Sequence, residues 1–375
     1  MIGPVLTVLY RYIIWRILIT TLIAIGVMTF VLVLGNAFQR VFDLLVNNDV
    51  PVGIISKMIL LLIPAALTFT VPWGLLIAIL LVFGRMSHDH ELTAIRAAGI
   101  GLAPFSAPII LLSLVFCVIS FFNNSYLAPD SMATFKRTLV DMGRENPTVF
   151  LRAEEPIDTF GNMRLYIKKK SGNRIEGVHI WELGKDGIPN RSIRADYGII
   201  AANLPEKSLD ITLYNARQEQ RGNDPTVIDQ IQTGMRASQL PIRVSLASLL
   251  DTSGVEKNIT VWTLDQIGAE IISPEGDFRI LPIITELQKR LAFSSACFTF
   301  CIIGIPVALL TQRRETSISF VISLGIVILY YLLVAFAKAL EDDAGAYPEL
   351  IIWAPNFIFQ ALGFWLLWKV NKYPY

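Results

Sequence analysis

The chain has 375 residues, 53% of them hydrophobic and 17% charged, with a formal net charge of +1. Soluble globular domains carry nearer to about 25% charged residues, so this composition excludes an ordinary soluble domain over the whole length. The net charge says nothing about nucleic acid, and the sequence has no basic tract that would point to it.

The apolar excess, seen as a mean hydropathy of +0.54, is unevenly placed. Residues 17–35, 58–84, 97–129, 291–312, 316–337 and 350–368 contain no Asp, Glu, Lys or Arg. A helix rising 1.5 Å per residue needs about 20 residues to cross the hydrocarbon core. Six transmembrane helices are predicted. Between the third and fourth runs lies a long polar stretch of soluble character, about Tyr126 to Arg279.

Residues 1–16 carry Arg11 and Arg16 and no acid, as suits the cytoplasmic flank of a first span. That span runs from about Ile17 to Gly35. It is longer than a signal-peptide core, and no small-x-small cleavage site follows it. The loop after it holds Arg40, Asp43, Asn47, Asn48, Asp49 and Pro51. Span two covers about Met58 to Gly84, and Pro64 and Pro72 inside it predict a kink.

Residues 85–99 read Arg-Met-Ser-His-Asp-His-Glu-Leu-Thr-Ala-Ile-Arg-Ala-Ala-Gly. Asp89 suits an N-cap, Glu91 the first turn, and Gly99 a helix stop. Leu92 and Ile95 fall on one face. The segment 87–99 is predicted to be a short amphipathic helix between two spans. Span three occupies much of 101–124, with Pro104 and Pro108 near its start.

The insert begins with a helical pattern, Met132, Phe135 and Leu139. The period then changes to two: Leu165 and Ile167, Val178 and Ile180, Ile193, Ala195 and Tyr197, then Leu209, Ile211 and Leu213. Turn clusters begin at Phe160, Ser171, Gly184, Asn203 and Arg221. Short strands at this spacing predict an antiparallel sandwich or jelly roll. Residues Thr263 to Ile272 predict a short helix leading back to the membrane.

Span four runs from about Leu287 to Leu310, and span five from about Ser317 to Ala337. An acidic loop, Glu341-Asp-Asp343, comes next, and span six runs from about Leu350 to Trp368. With the N-terminus inside, Arg11, Arg16, Arg85, Arg96, Arg313, Arg314, Lys369 and Lys372 are cytoplasmic. Arg40, Lys57, Lys289, Arg290 and Lys338 lie on the other side. The bias predicts both termini inside and the insert outside, in the periplasm of a Gram-negative cell.

Cys117, Cys297 and Cys301 all fall in apolar runs with no histidine near, which predicts packing residues and no metal site. The chain lacks G-x-x-x-x-G-K-[ST], H-E-x-x-H and G-x-S-x-G, so no enzyme site and no ATP site is predicted. His88 and His90 are expected on a solvated surface. No charge sits deep in a span, which argues against a proton- or sodium-driven carrier. The energy for any transport must then come from another subunit, and 87–99 is where one would dock. On the outer side, Arg40, Lys57, Lys289, Arg290 and Lys338 form a basic set. Two readings stay open: structural pairing with Glu286 and snorkelling, or contact with lipid phosphates.

The order of local sequences resembles the lipopolysaccharide-export permeases LptF and LptG. His90-Glu-Leu-Thr-Ala-Ile-Arg-Ala-Ala-Gly99 is similar to the family's cytoplasmic segment. Glu286-Leu-Gln-Lys-Arg-Leu-Ala292 is similar to its start of span four. Gly304-Ile-Pro306, Arg313-Arg314, Tyr330-Tyr331 and Pro355-Asn356 follow in the family's order. Asn48-Asp-Val-Pro51 and Gly84 to Glu91 lean towards LptF.

The resemblance implies a helical membrane protein with three plus three spans and an inserted periplasmic all-β, jelly-roll-like domain. Its parts would be 1–125, 126–280 and 281–375, in the bacterial inner membrane. It implies a permease subunit of an ABC transporter that takes lipopolysaccharide from the outer leaflet to a periplasmic bridge. The implied partners are a second LptF/LptG-type permease, a dimer of the ATPase LptB, LptC and the bridge protein. ATP would be held by LptB, and no cofactor by this chain. Carried onto this sequence, 87–99 is the coupling helix, with Glu91, Asp89, Leu92, Ile95 and Arg96 as ATPase-coupling residues. Arg40, Lys289 and Arg290, with Lys57 and Lys338, are the implied phosphate contacts. Spans one and five would be gates, with Phe121, Phe122, Phe293, Phe298 and Phe300 as cavity lining. Competing expectations are a mechanotransmission subunit acting on a periplasmic partner, and a non-transport scaffold displaying a β domain.

Overall fold

In the computed structural model the described residues are 2–40, 51–145, 151, 153–160, 163–184, 189–203, 208–221, 231–245, 258–272, 280–310, 316–339 and 348–372. The apolar runs form helices because lipid offers backbone groups no hydrogen-bond partner, and a helix satisfies its own. The helices are α1 (Ile2–Arg40), α2 (Val52–Leu61), α3 (Ile63–His88), α4 (Glu91–Ala97) and α5 (Leu102–Phe122). A π-helical turn, Asn123–Leu127, joins α5 to α6 (Ala128–Glu145). After the strands come α7 (Leu264–Ile272), α8 (Ile280–Leu310), α9 (Thr316–Ala339), α10 (Pro348–Ile351) and α11 (Ala354–Lys372).

Among the described residues, four stretches are long and apolar enough to cross a membrane: Thr7–Asn36, Val52–His88, Pro104–Met142 and Pro282–Leu310. Phe320–Phe336 is a shorter apolar stretch. The predicted kink at Pro64 is a break. One helix stops at Leu61 and the next starts at Ile63, with Pro64 in its first turn, where its missing N–H does no harm.

The chain folds as two compact units. One comprises Met1–Gly35, Leu61–Met132 and Ile259–Tyr375; the other comprises Asn36–Leu60 and Ala133–Asn258. In the first unit α3 and α8 form the centre. The apolar windows of their spans are 72% buried, against 22% for α1. Leu75, Leu76, Ile79, Phe83, Phe300, Cys301 and Ile305 make the shared core. Cys297 and Cys301 are fully buried there, as packing residues should be.

Small residues set the helix separations. An added Cβ at Gly304 would lie 2.9 Å from Leu76 Cδ1; at Gly363 it would lie 2.9 Å from the backbone carbonyl of Ile302. Without a hydrophobic drive between helices in lipid, such close approach and interhelical hydrogen bonds hold the bundle. Asn356, fully buried, supplies several of these bonds. Its Oδ1 accepts from Tyr330 Oη at 3.0 Å and Thr299 Oγ1 at 2.9 Å, and its Nδ2 donates to the Ala292 carbonyl at 2.9 Å. One amide therefore joins α8, α9 and α11.

The second unit holds β1 (Pro156–Phe160), β2 (Met163–Ser171), β3 (Arg174–Leu183), β4 (Pro189–Asn203), β5 (Ser208–Arg221) and β6 (Ile231–Ser245). They form one antiparallel sheet in chain order, β1 to β6. Each predicted turn cluster falls at the junction of two successive strands. Leu165, Ile167, Ile175, Val178, Ile180, Ile193, Ala195, Leu209, Ile211 and Leu213 line the buried face.

The inward alternation slips by one residue on three strands, between Ile175 and Val178, Ala195 and Gly198, and Leu213 and Ala216. Gly177 and Asn215 take positive φ at the slip, 62° and 53°. The pairing register stays continuous across these positions, so the three strands change face together with no extra residue on any of them. Tyr197, expected inward with Ala195, therefore turns outward. It stacks on Tyr214 with ring centroids 4.7 Å apart.

Gly363→Val should cost about 1–3 kcal/mol of stability by overpacking. Gly325→Val, where nothing lies within 4 Å of an added Cβ, should cost little. Thermal unfolding of both variants in one detergent checks the difference.

Candidate functional site

The segment predicted to be a coupling helix lies between α3 and α5. Helix α3 continues through Arg85 to His88 and is capped by Asp89, whose N–H donates to the Arg85 carbonyl at 2.9 Å, while the His90 N–H donates to the Ser87 carbonyl at 3.1 Å. His90 then takes a left-handed conformation, φ 59°, and α4 starts at Glu91. Asp89 was expected to be the N-cap of α4. It is the C-cap of α3 instead, because the left-handed turn puts His90 at that position with no side-chain cap bond. Asp89 Oδ1 lies 3.2 Å from His88 Nδ1, and both are exposed. Gly99, φ 81°, ends the segment as expected, its N–H donating to the Arg96 carbonyl at 2.9 Å.

Two anchors fix α4. Leu92 is 5% exposed and packs in the core with Phe83 and Phe105, with Ile95 beside it. On the other side, the Glu91 carboxylate reaches α1. Arg16 Nη1 donates to Glu91 Oε1 at 3.1 Å and Oε2 at 3.2 Å. Tyr12 Oη donates to the same oxygens at 3.1 and 3.2 Å. Arg16 also bonds Tyr12, and its guanidinium sits 5.1 Å from the Tyr12 ring centroid. Arg16 and Tyr12 are one helical turn apart, so they converge on one carboxylate. Sequence reasoning used Arg16 only for its charge and passed over Tyr12. The partners lie 75 and 79 residues from Glu91, and no local pattern signals such a contact. The residues of α4 left facing solvent are Thr93, Ala94 and Ala97.

Helix α1 is also fastened to α3 further along. Thr29 Oγ1 and Thr70 Oγ1 are 2.8 Å apart and buried. Gly74 lets Ile25 approach so closely that an added Cβ would meet Ile25 Cγ1 at 2.7 Å. The α1–α3–α4 connection therefore has three points of fixed contact.

The predicted phosphate-contact residues divide. Lys289 and Arg290 come together at Glu286 on α8. Arg290 Nε donates to Glu286 Oε1 at 3.2 Å and Arg290 Nη2 to the Thr260 carbonyl at 3.5 Å. Lys289 Nζ pairs with Glu286 Oε2. The Arg290 side chain is 4% exposed, and its Nη1 is buried with no partner among the described residues. One carboxylate faces two cations, so the trio keeps an excess positive charge. Lys57 is exposed on α2. Arg40 and Lys338 end α1 and α9, and their side chains lie outside the described residues.

A buried polar chain continues from this trio. Ser294 Oγ donates to the Arg290 carbonyl at 2.7 Å, and Asn124 Nδ2 to Ser294 Oγ at 3.2 Å. Thr68 Oγ1 donates to Asn124 Oδ1 at 2.8 Å, and Asn123 Nδ2 to the Pro64 carbonyl at 3.0 Å. Asn123 and Asn124 open the π-helical turn, where a widened turn frees backbone groups and re-aims side chains. Of the predicted cavity-lining phenylalanines, Phe300 is fully buried against Tyr330, Phe293 packs edge-on to Phe69, and Phe122 is 54% exposed.

These nodes fall on the stretches whose wording suggested a family. Tyr330 and Asn356 bond each other, Gly304 is a close-packing point, and the 286–292 stretch carries the charged trio. The model of the family "Lipopolysaccharide export system permease LptF/LptG" matches residues 11–369. The chain belongs to the LptF/LptG family. It is similar to the lipopolysaccharide export system permease protein LptF of Escherichia coli K12, with 21% identity over 336 residues. That match covers 88% of this chain and 86% of the relative. The protein of the same name from Shigella flexneri matches at the same identity and coverage. As an LptF/LptG member with several apolar helices, the chain is a multi-pass membrane protein and a transport permease subunit by family, not an enzyme.

The Arg16–Glu91 pair is a quarter to a third exposed. In a double-mutant cycle with Arg16→Ala and Glu91→Ala, the coupling should be about 0.5–1 kcal/mol. Arg16→Glu with Glu91→Arg should regain part of it. Chemical unfolding in mixed micelles reads the cycle, and zero coupling would mean that the pair does not hold α4.

Proposed function

We propose that this chain is the membrane-spanning half of an ABC exporter that lifts lipopolysaccharide from the outer leaflet of the inner membrane towards a periplasmic bridge. A second LptF/LptG-type permease completes the cavity, a separate ATPase dimer of the LptB type supplies the work, and an LptC-type subunit joins at the side. The observation that carries the reading is the fixation of α4. A short helix that receives force must be tied to the spans it moves, and α4 is tied to α3 through the turn and the core and to α1 through Glu91. Family membership over residues 11–369 supports the substrate.

The division of labour follows from the chemistry. The sequence has no G-x-x-x-x-G-K-[ST] loop, so ATP is assigned to the partner. Several acyl chains, at about 0.8 kcal/mol per CH₂, hold a glycolipid in the bilayer far more strongly than thermal motion can overcome. Closure of an apolar cavity by the ATPase supplies that work. The partner approaches α4 on Thr93, Ala94 and Ala97, while Glu91 transmits the motion to α1. In this reading six spans cross the membrane, α9 and α11 included, with both termini cytoplasmic. The sheet is part of a periplasmic jelly roll. Helices α1 and α9 act as gates, and both carry exposed apolar residues, among them Val27, Phe30, Ile328 and Leu332.

At the other end, the Glu286–Lys289–Arg290 trio offers one net positive charge to a lipid phosphate. Arg290 lends an unpartnered buried donor, and Arg suits phosphate through its fork of donors. Arg40, Lys57 and Lys338 are further candidate phosphate contacts by the family resemblance alone.

A photo-reactive residue at Lys289 or Arg40 should capture lipopolysaccharide in cells, and Glu91→Lys should abolish its export while leaving the chain in the membrane. Capture of phospholipid alone would sink the substrate reading. Purification without any ATPase subunit would sink the ABC reading.

A further inference from the structure

The solvent-facing side of the sheet carries a row of like charges. In the register, Tyr166 pairs with His179, His179 with Arg194, Arg194 with Arg217, and Arg217 with Arg236. Directly paired residues of an antiparallel sheet project from the same face, with Cβ atoms about 4.5–5.5 Å apart. Three arginines on three adjacent strands thus stand side by side, and all three are exposed. None of them has a hydrogen bond or ion pair among the described residues. Like charges directly opposite one another destabilise a sheet, so the fold gains nothing from this row. His179, next in the row, is held below the ordinary imidazole value by burial and then by Arg194.

The carboxylates of this face do not neutralise the row. Asp196 accepts Asn215 Nδ2 at 3.1 Å, and Glu219 stands two residues from Arg217 without an ion pair. The inward alternation slips here, where Asn215 has φ 53°. A shallow depression of about 370 Å³ lies at this place, lined by Asp196, Asn215, Arg217, Arg236 and Ser238. Its chemistry is mixed in a specific way. Two guanidiniums suit a phosphate, while a carboxylate, an amide and a hydroxyl suit sugar hydroxyls. Bare phosphate would be repelled by Asp196. Trp181 lies beside His179, ring centroids 5.6 Å apart, and offers an aromatic surface next to the row.

We propose that this outer face of the sheet binds the phosphorylated saccharide headgroup of the exported glycolipid, with phosphate on Arg217 and Arg236 and sugar hydroxyls on Asp196 and Asn215. The proposal rests on the export reading above and adds a site on the solvent-facing side of the sheet.

The test is equilibrium binding of a fluorescent, fully deacylated, phosphorylated lipopolysaccharide core oligosaccharide to the full chain in detergent. Arg217→Gln with Arg236→Gln should weaken binding at least about tenfold, since two charge-assisted contacts are lost. The thermal midpoint should stay or rise, because like-charge repulsion is relieved; a structural role would lower it. Unchanged binding in that double variant overturns the proposal. So does equal binding of the enzymatically dephosphorylated oligosaccharide, equal competition by inorganic phosphate, or equal binding of a poly-glutamate peptide. If the oligosaccharide fails to bind while intact lipopolysaccharide is still captured at Lys289, this site fails and the export reading stands. If capture at Lys289 fails too, both fail.

Discussion

Polar groups buried inside the helical unit are costly unless they pair with one another, because lipid supplies no partner. That constraint decides which helices meet. Asn356 has room for three bonds and receives them from three directions, so α8, α9 and α11 have little freedom in their mutual rotation. The asparagines of the π-helical turn do the same for α3, α5 and α8. The buried Arg290 is tolerable only beside Glu286, since an unpaired buried charge costs several kcal/mol, roughly 3–5 when a partner is removed. Apolar packing fills the space between these nodes, and the glycines set how close the helices come.

The two ends of the bundle use charge differently. At the α3–α4 turn the Glu91 carboxylate is shared by a guanidinium and a phenol on α1. That arrangement is partly exposed and modest in energy, so it positions α4 without locking it. At Glu286 the carboxylate and Arg290 are buried, Lys289 is half-buried, and one cation is left over. Under the proposed function, a connection that transmits force and a site that attracts an anion call for these two different arrangements.

Much of this was legible beforehand, for identifiable reasons. Charge-free runs mark helices because a charge in lipid is costly, and the turn clusters mark hairpins because Gly and Asn accept turn conformations. Gly99 ended α4 as its freedom at positive φ suggests. The misreadings are equally physical. Tyr197 is expected inward because a strict period of two assumes no slip, and the slip shared by β3, β4 and β5, with Gly177 and Asn215 at positive φ, turns it outward. Asp89 looked like an N-cap because capping residues are recognised by type, while the left-handed His90 shifted the cap by one. The Tyr12–Arg16–Glu91 contact and the arginine row depend on pairing between distant segments. No spacing within one segment carries such pairings.

The proposed coupling element is α4 together with the near end of α1, moving as one body. Spin labels at Val8 and Ala97, both exposed, allow the distance between them to be measured by pulsed electron resonance in the assembled transporter, with and without ATP. A second pair, Val8 and Val321, reports α1 against α9. Concerted movement predicts that the first distance stays constant through the nucleotide cycle while the second changes. A first distance that changes with ATP while the second does not would refute it.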